Sequence, residues 1–162
     1  QGIAAQLKVH SITRKYRAIV HGRLTEDGVI HTTIGRHPQN RKLMAVNVPN
    51  GKDAITHYRV LETFDRFTYI ECQLETGRTH QIRAHLAGTG HPLIGDYKYG
   101  RRTLNDEYRR KYGLKSQLLH AHRLEIPEIE GRLSYLSGKE FTAPLPYLFQ
   151  KILKEEHVEE NK

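Results

Sequence analysis

The chain has 162 residues, of which 26 are lysine or arginine and 18 are aspartate or glutamate, so its formal net charge is +8 with histidine neutral. That length suits one domain, and a hydrophobic fraction of 37% is not the composition of a disordered tail. No stretch approaches the ~20 consecutive apolar residues that cross a bilayer, which argues against a membrane protein.

The first part of the chain predicts strands and turns. The spacing within Ile3–Leu7 is typical of the last turn of a helix whose earlier turns are missing. Residues 15–20 are strand-like. Asp27-Gly28 and Asn50-Gly51 are dipeptides that favour turns with positive φ between paired strands.

Two alternating runs, at residues 54–61 and 67–74, predict an antiparallel hairpin with Asp65-Arg66 at its connection. The second run contains Cys72, the only cysteine, which we expect to be a buried and unreactive thiol. A single cysteine excludes an intrachain disulfide and a zinc site built on several cysteines. It is typical of a protein from a reducing compartment, so we expect a cytoplasmic location.

The hydrophobic period changes from two to about 3.6 after the hairpin. Ile82 and Leu86 predict a short helix, and the glycine-, proline- and tyrosine-rich stretch at 90–102 predicts an ordered loop. A second helix is indicated over 104–112, stopped by Gly113.

The C-terminal part predicts a strand at 118–126, a second hairpin over 133–141 around Ser137-Gly138, and a final amphipathic helix after Pro146. The elements together favour an α+β fold with a mixed, mainly antiparallel sheet and short flanking helices. We expect one domain over residues 1–154 and an acidic C-terminal tail at 155–162.

The charge distribution favours nucleic acid as a partner. Four acidic residues and one basic residue lie in 155–162, so residues 1–154 carry a net charge of +11. Such a surface attracts polyanions, because each phosphate that is neutralised releases counterions.

The densest polar cluster is the segment 75–86 around a glycine turn. The turn would expose the first amides of the following helix, and Thr79 is placed to cap them. Arg78, His80 and the helix start then form a candidate phosphate site, and Arg83 lies one turn further on about the same face. The alternative is a surface helix with solvated charges.

A basic loop and an aromatic side chain are further candidates. Arg36, His37, Arg41 and Lys42 lie in a polar loop between strands, suited either to gripping phosphates or to plain solvation. Tyr16 lies between two basic residues on a strand, where it would stack on an RNA base or belong to the core.

A metal site is poorly supported. His80 and His85 are five residues apart, so their side chains diverge by roughly 140° on a helix. His120 and His122 would face the same way on a strand, but they have no evident third ligand. We expect no metal, and a histidine-ligated metallohydrolase is the weakest of the functional interpretations.

The segment Glu-Thr-Gly-Arg-Thr-His-Gln-Ile-Arg at 75–83 is followed by His85-Leu86, by Gly-His-Pro-Leu-Ile-Gly-Asp at 90–96 and by Tyr99-Gly100. Together these residues closely resemble the third motif of the pseudouridine synthases that modify ribosomal RNA, the large family with an Arg-Leu-Asp active-site motif. Further blocks look like the family's in order: 12–20 with Gly22, 34–38 through 44–46, 51–58 and 119–121. The resemblance spans residues 1 to about 153 and is nearest to members acting on large-subunit rRNA.

The resemblance implies isomerisation of uridine to pseudouridine in RNA, without cofactor or metal. By residue matching, Arg83 is the basic residue that pairs with a catalytic aspartate and Tyr16 is the aromatic residue at the uracil. We also expect RNA contacts by Arg78, Thr79, His80 and Gln81, and no DNA or membrane partner.

The sequence departs from the family at the catalytic aspartate, because none of its five aspartates lies in a His-Arg-Leu-Asp context. Asp96 belongs to a Gly-Asp element that we interpret as structural. We therefore expect a partial catalytic domain, inactive alone, in which Arg83 lacks its anionic partner. The alternative is a non-catalytic RNA-binding protein with the same fold.

Overall fold

The computed structural model describes residues 12–160, so the helical turn expected at Ile3–Leu7 lies outside the described residues. The strands are β1 (Thr13–His21), β2 (Gly28–Arg36), β3 (Met44–Val46), β4 (Lys52–Thr63), β5 (Phe67–Leu74), β6 (Leu119–Glu125) and β7 (Glu140–Thr142). The helices are α1 (Gln81–Gly88), α2 (Arg102–Tyr112) and α3 (Tyr147–Glu160), with a short 3₁₀ segment at Gly131–Leu136.

All seven strands join in one sheet in the order β3-β2-β4-β5-β1-β6-β7, and every neighbouring pair is antiparallel. The α+β class expected from the sequence is confirmed, as is the hairpin of β4 and β5. Among the described helices, none combines the length and apolar content that a bilayer crossing requires.

The central strands are buried on both faces. On β1, Ala18 and Val20 pack on the side that α1 covers, together with Ile82 and Leu86 of that helix. Ile19 points to the other side, into a cluster formed with α2 and α3. Because successive side chains of a strand alternate between faces, this short apolar run carries two separate cores.

Two helices end and pack as their sequences indicate. α2 ends at Tyr112 with Gly113 in the left-handed region, at φ 71°, a conformation that glycine adopts without steric cost. Phe149 and Ile152 of α3 are buried in the same cluster as Tyr112. The acidic segment expected to form a tail is helical as far as Glu160, and Glu156 accepts hydrogen bonds from Lys111 (2.8 Å) and Tyr112 (2.6 Å).

The two turn dipeptides do not join paired strands. Gly28 begins β2 without a positive φ, and β2 lies far from β1 in the sheet. Asn50 does adopt a positive φ of 63°, but it links β3 to β4, which flank β2 on opposite sides. Local turn chemistry gives the bend, whereas long-range pairing decides which strands become neighbours.

The second hairpin expected over 133–141 is wrong. Residues 131–136 form the 3₁₀ segment, and only β7 is extended, paired with β6. The Ser137 hydroxyl group donates to the carbonyl oxygen of Ile129 (3.0 Å) and accepts from its amide (2.9 Å). These local bonds hold the segment in a compact loop.

Candidate active-site cleft

A cleft of about 270 Å³ opens at the N-terminal end of α1, between that helix and β1. It is lined by Tyr16, Leu74, Arg78, His80, Gln81, Ile82, Arg83, Gln117 and Leu119. The structure therefore brings Tyr16 and Arg83 together, although 67 positions separate them in the sequence. Arg78, His80 and Gln81 meet them in the same place.

Arg83 has an anionic partner within this chain, so the expectation that it lacks one is wrong. Its Nε and Nη2 donate to Oδ2 (2.8 Å) and Oδ1 (3.0 Å) of Asp96, whose side chain is completely buried. Asp96 also accepts from the amides of Lys98 (3.1 Å) and Tyr99 (3.0 Å). The hydrogen bonds from Arg83 to Asp96 raise the pKa of the guanidinium above its ordinary value.

The sequence could not show this pairing, because the two residues are thirteen positions apart, on a helix and in a loop. The two hydrogen bonds to Asp96 fix the plane of the Arg83 guanidinium, because a planar group bound at two of its nitrogens cannot rotate freely. The Arg83 side chain is 15% exposed, and its Nη1 has no hydrogen-bond partner among residues 12–160. Nη1 is therefore left for a group that enters the cleft.

The start of α1 is held by Gln81 and not by Thr79, so the cap expected at Thr79 is wrong. The residue that precedes the helix is His80, in the left-handed region at φ 52°, with no side-chain cap. The Oε1 of Gln81 accepts from the Thr76 hydroxyl group (2.7 Å) and from the Arg78 amide (3.0 Å).

The amide group of Gln81 is fully used inside the protein. Its Nε2 donates to the carbonyl oxygen of Ile55 (3.0 Å) and to the hydroxyl group of Thr56 (2.9 Å), and the residue is 3% exposed. An amide side chain has two donor hydrogens and two acceptor lone pairs, so nothing remains for RNA. This corrects the expectation that Gln81 contacts RNA and makes it the residue that fixes the glycine turn.

His80 and the basic loop are connected through Tyr99. The Tyr99 hydroxyl group is 2.8 Å from Nδ1 of His80 and accepts from the Met44 amide (2.9 Å) at the start of β3. Burial lowers the pKa of His80, and the positive charges of Arg83 and Arg36 lower it further. The end of the basic loop therefore lies beside the cleft.

The basic loop itself is mostly exposed, as the sequence indicates. Arg36 ends β2, and its side chain donates to the carbonyl oxygen of Arg41 (3.3 Å). Nδ1 of His37 accepts from the backbone amides of Gln39 and Asn40. Arg41 and Lys42 make no side-chain hydrogen bond within residues 12–160. Arg78 donates from Nε to the carbonyl oxygen of Asp53 (2.8 Å) and borders the same basic surface.

Tyr16 lies on β1 at an irregularity of the sheet. It is opposite Cys72 on one side and Ala121 on the other, and the register against β6 shifts between Lys15 and Tyr16. Such bulges re-aim side chains and are frequent beside active sites. The Tyr16 ring packs against the core on the α1 side, but its hydroxyl group has no hydrogen bond among the described residues.

The other histidines that were considered as metal ligands do not line the cleft. His85 is completely buried, with Nε2 2.9 Å from the Thr32 hydroxyl group and Nδ1 2.8 Å from that of Thr56. His120 and His122 share a side of β6, and both lie at the carbonyl oxygen of Ala143. Within residues 12–160 no three His, Cys, Asp or Glu side chains are grouped to hold a metal.

Cys72 is fully buried, as expected. Burial raises the pKa of its thiol to about 12. Gln117 also lines the cleft, from the loop before β6, although no sequence pattern singled it out. Its position two residues before the matching block at 119–121 was the available signal.

The chain is similar to known proteins in sequence and in structure. The family model described as RNA pseudouridylate synthase matches residues 1–88. A ribosomal large subunit pseudouridine synthase D from Nitrosomonas europaea is 51% identical over 125 residues, covering 76% of this chain and 36% of that protein. An uncharacterized RNA pseudouridine synthase from Chloroflexus aurantiacus is 43% identical over 157 residues, covering 96% of this chain and 46% of that protein.

The chain thus spans less than half the length of these curated relatives. Among solved structures, Human RNA Pseudouridylate Synthase Domain Containing 1 superposes with a TM-score of 0.70 at 24% sequence identity. That match covers 93% of this chain and 67% of the human one. At 24% identity this structural match shows the fold alone.

Proposed function

This chain belongs to the RNA pseudouridylate synthase family, and from that premise we propose that the protein containing it isomerises uridine to pseudouridine in RNA. In this reaction the N1–C1′ bond breaks and a C5–C1′ bond forms. C5 loses its proton and N1 gains one, so the product is an isomer of the substrate. No cofactor or metal takes part in the proposal.

The observation that carries the proposal is the cleft in which an oriented guanidinium lies beside an aromatic side chain. Arg83 is fixed by a buried carboxylate and keeps Nη1 free, and Tyr16 lines the same cleft. A base that leaves the RNA stack needs an aromatic or apolar face to replace its lost stacking. Tyr16 supplies that face, and Arg83 supplies positive charge beside it.

The attacking carboxylate does not come from Asp96. That side chain is 0% exposed and is occupied by Arg83 and by two backbone amides, so it cannot touch a base. Asp96 positions Arg83. We propose that the catalytic aspartate is supplied by residues outside these 162 and approaches the free Nη1 of Arg83.

The substrate we propose is large-subunit ribosomal RNA, bound in the cytoplasm. Two observations support it: the relative from Nitrosomonas europaea is named for the ribosomal large subunit, and the basic loop with Arg41 and Lys42 lies beside the cleft. We propose that Arg78 and His80 contact the sugar-phosphate backbone around the extruded base, because both line the cleft.

The test uses the complete protein encoded by the gene that contains this sequence. It is incubated with transcripts of large-subunit and of small-subunit rRNA carrying tritium at C5 of uridine, and tritium release and the modified positions are measured. We expect release and new pseudouridines from the large-subunit transcript alone. Equal modification of both transcripts would refute the substrate assignment.

A non-catalytic RNA-binding protein is the second candidate, because the sequence contains no Arg-Leu-Asp segment. It predicts salt-sensitive binding of the same transcripts with no tritium release from the complete protein. Tritium release would eliminate it.

A further inference from the structure

Gln117 is a cleft residue whose side chain has no hydrogen-bond partner among the described residues. It lines the cleft together with Tyr16 and Arg83. Among residues 12–160, only the backbone oxygen of Gln117 is bonded, by the Leu119 amide (2.9 Å). The contrast with Gln81, whose amide is saturated by four internal bonds, separates a structural glutamine from one that is available.

The backbone that carries Gln117 is tightly fixed. The amide of Leu118 donates to the carbonyl oxygen of Ile94 (2.9 Å), and its own carbonyl oxygen accepts from Ile19 of β1 (3.2 Å). A Cβ atom at Gly95 would lie 2.4 Å from the carbonyl oxygen of Ser116. The loop before β6 therefore rests directly on the 93–96 segment, and Gln117 is presented from a rigid support.

A free primary amide offers one donor and one acceptor side by side. This is the complement of a base edge on which an N–H group lies next to a carbonyl group. Uracil has such an edge at N3–H, with O4 on one side and O2 on the other. The edge reads acceptor, donor, acceptor and is symmetric about N3.

This symmetry matters for the isomerisation. Converting uridine to pseudouridine turns the ring about the axis through N3 and C6, which exchanges N1 with C5 and O2 with O4. N3–H stays in place and still has a carbonyl group on each side. A contact to N3–H and one flanking carbonyl group therefore serves the base both before and after the turn.

We propose that Gln117 is a specificity-determining residue that binds the N3–H and carbonyl edge of the target uracil and retains the base while it turns; this rests on the proposed function of the cleft. Cytosine, which has an amino group on one side of N3 and a carbonyl group on the other, does not offer the same edge in both orientations. An amide carried on this fixed backbone thus selects uracil and keeps the detached base aligned.

The experiment pairs a change in the protein with a change in the base. The complete protein is assayed by tritium release from C5 on a short RNA containing the mapped target uridine, and on the same RNA with N3-methyluridine at that position. The variants are Gln117→Ala and Gln117→Leu, of which the second keeps the side-chain volume. Gln73→Ala is the matched control, because Gln73 is an exposed glutamine on β5, outside the cleft.

We expect N3-methylation to lower kcat/KM of the unaltered protein and of Gln73→Ala by roughly 10- to 100-fold, the discrimination that one bidentate amide contact provides. Each Gln117 variant should lose a similar factor on the uridine RNA. Methylation should then cost that variant less than about threefold, since the partner of N3–H is already gone.

An equal methylation penalty in the unaltered protein and in a folded Gln117 variant would overturn the inference, with the proposed function intact. Turnover of the methylated RNA by the unaltered protein at the full rate would also overturn it. Absence of tritium release from the unaltered protein on any RNA is a different result, which refutes the proposed function itself. Thermal unfolding identifies which variant is folded, and the leucine variant serves if the alanine variant is not.

Discussion

The buried carboxylate of Asp96 fixes the orientation of the Arg83 side chain in the cleft. Asp96 takes two of the Arg83 nitrogens, and the guanidinium also lies 5.0 Å from the ring centroid of Tyr99. These contacts leave little freedom to the side chain, so Nη1 is already ordered for the carboxylate that we propose approaches it. The same contacts make Arg83 part of the fold, which a solvated arginine would not be.

Replacing Arg83 should therefore affect both turnover and stability. Arg83→Ala in the complete protein is expected to abolish tritium release, because no cation then meets the catalytic carboxylate. It should also lower the free energy of unfolding by about 3 kcal/mol, since Asp96 is left buried without its cation. Arg83→Lys should keep more of the stability but little turnover, because lysine cannot form the two-pronged contact.

Arg17 provides the matched control. Its side chain is 21% exposed, and its Nε donates to Glu71 (3.0 Å) on the face of the sheet opposite Tyr16. Arg17→Ala should lose stability, as measured by urea unfolding, and retain turnover. Near-normal isomerisation by a folded Arg83→Ala protein would contradict the role of Arg83.

His85 should make the stability depend on pH. Burial lowers its pKa from 6.5 to about 4, and the charge of His31 acts in the same direction. Between these values the unfolded chain binds a proton that the folded protein excludes, so the free energy of unfolding falls as pH decreases from about 6.5 to about 4. The loss amounts to at most about 3 kcal/mol and levels off at lower pH.

The measurement is urea unfolding across this pH range for the unaltered chain and for His85→Gln. The variant should show a shallower decline than the unaltered chain. Some slope should remain in every variant, because burial also lowers the pKa of His21. An unaltered slope in folded His85→Gln would show that His85 is not the group that titrates.

At the scale of elements, the cleft depends on loops that pack against one another. The 93–96 segment bonds to β1 on one side and supports the loop of Gln117 on the other. Gly95 is required there twice, by its φ of +86° and by its contact with the carbonyl oxygen of Ser116. Gly90, five residues earlier, has the same φ, but apart from its two chain neighbours no described residue has an atom within 4 Å of the place that a Cβ atom would occupy.

These two glycines therefore form a matched pair. Gly90→Ala should cost about 1 kcal/mol of unfolding free energy, which is the strain of alanine in the left-handed region. Gly95→Ala should cost about 3 kcal/mol, because the added carbon must also displace the loop before β6. Thermal unfolding of both variants tests this, and equal losses would show that the contact with Ser116 yields easily.

At the scale of the whole molecule, charge is segregated. Residues 1–154 carry +11, and the acidic end of α3 lies against α2, where Lys111 contacts Glu156 (2.8 Å) and Glu159 (3.1 Å). Two of the glutamates at this end of α3 are thus paired with a lysine of α2. The positive surface around the basic loop remains open to a polyanion.

Neutralising that loop should weaken RNA binding in a salt-dependent way. For the double variant Arg41→Ala and Lys42→Ala, we expect the slope of log affinity against log salt concentration to decrease by roughly 1.4, as two lost phosphate contacts on single-stranded RNA predict. Affinity should converge with that of the unaltered protein at high salt. Arg110→Ala, an exposed change on α2, should leave the slope unchanged, and a salt-independent loss in the loop variant would indicate a folding role.

The sequence by itself determined the local elements and the family. Alternation of side chains identified β1, β4 and β5, the change of period identified α1 and α2, and Gly113 marked the end of α2, because each of these signals acts within a few neighbouring residues. The motif at 75–83 indicated the family and singled out Arg83, because this signal too lies within one short stretch of the chain.

Only the tertiary structure decided which distant groups meet. The meeting of Arg83 with Asp96 and with Tyr16, and the bonds of the Gln81 amide to β4, depend on contacts between different segments of the chain. The physical reason is that a buried polar group must find its hydrogen-bond partner wherever packing brings one, and no local pattern specifies which segment that will be.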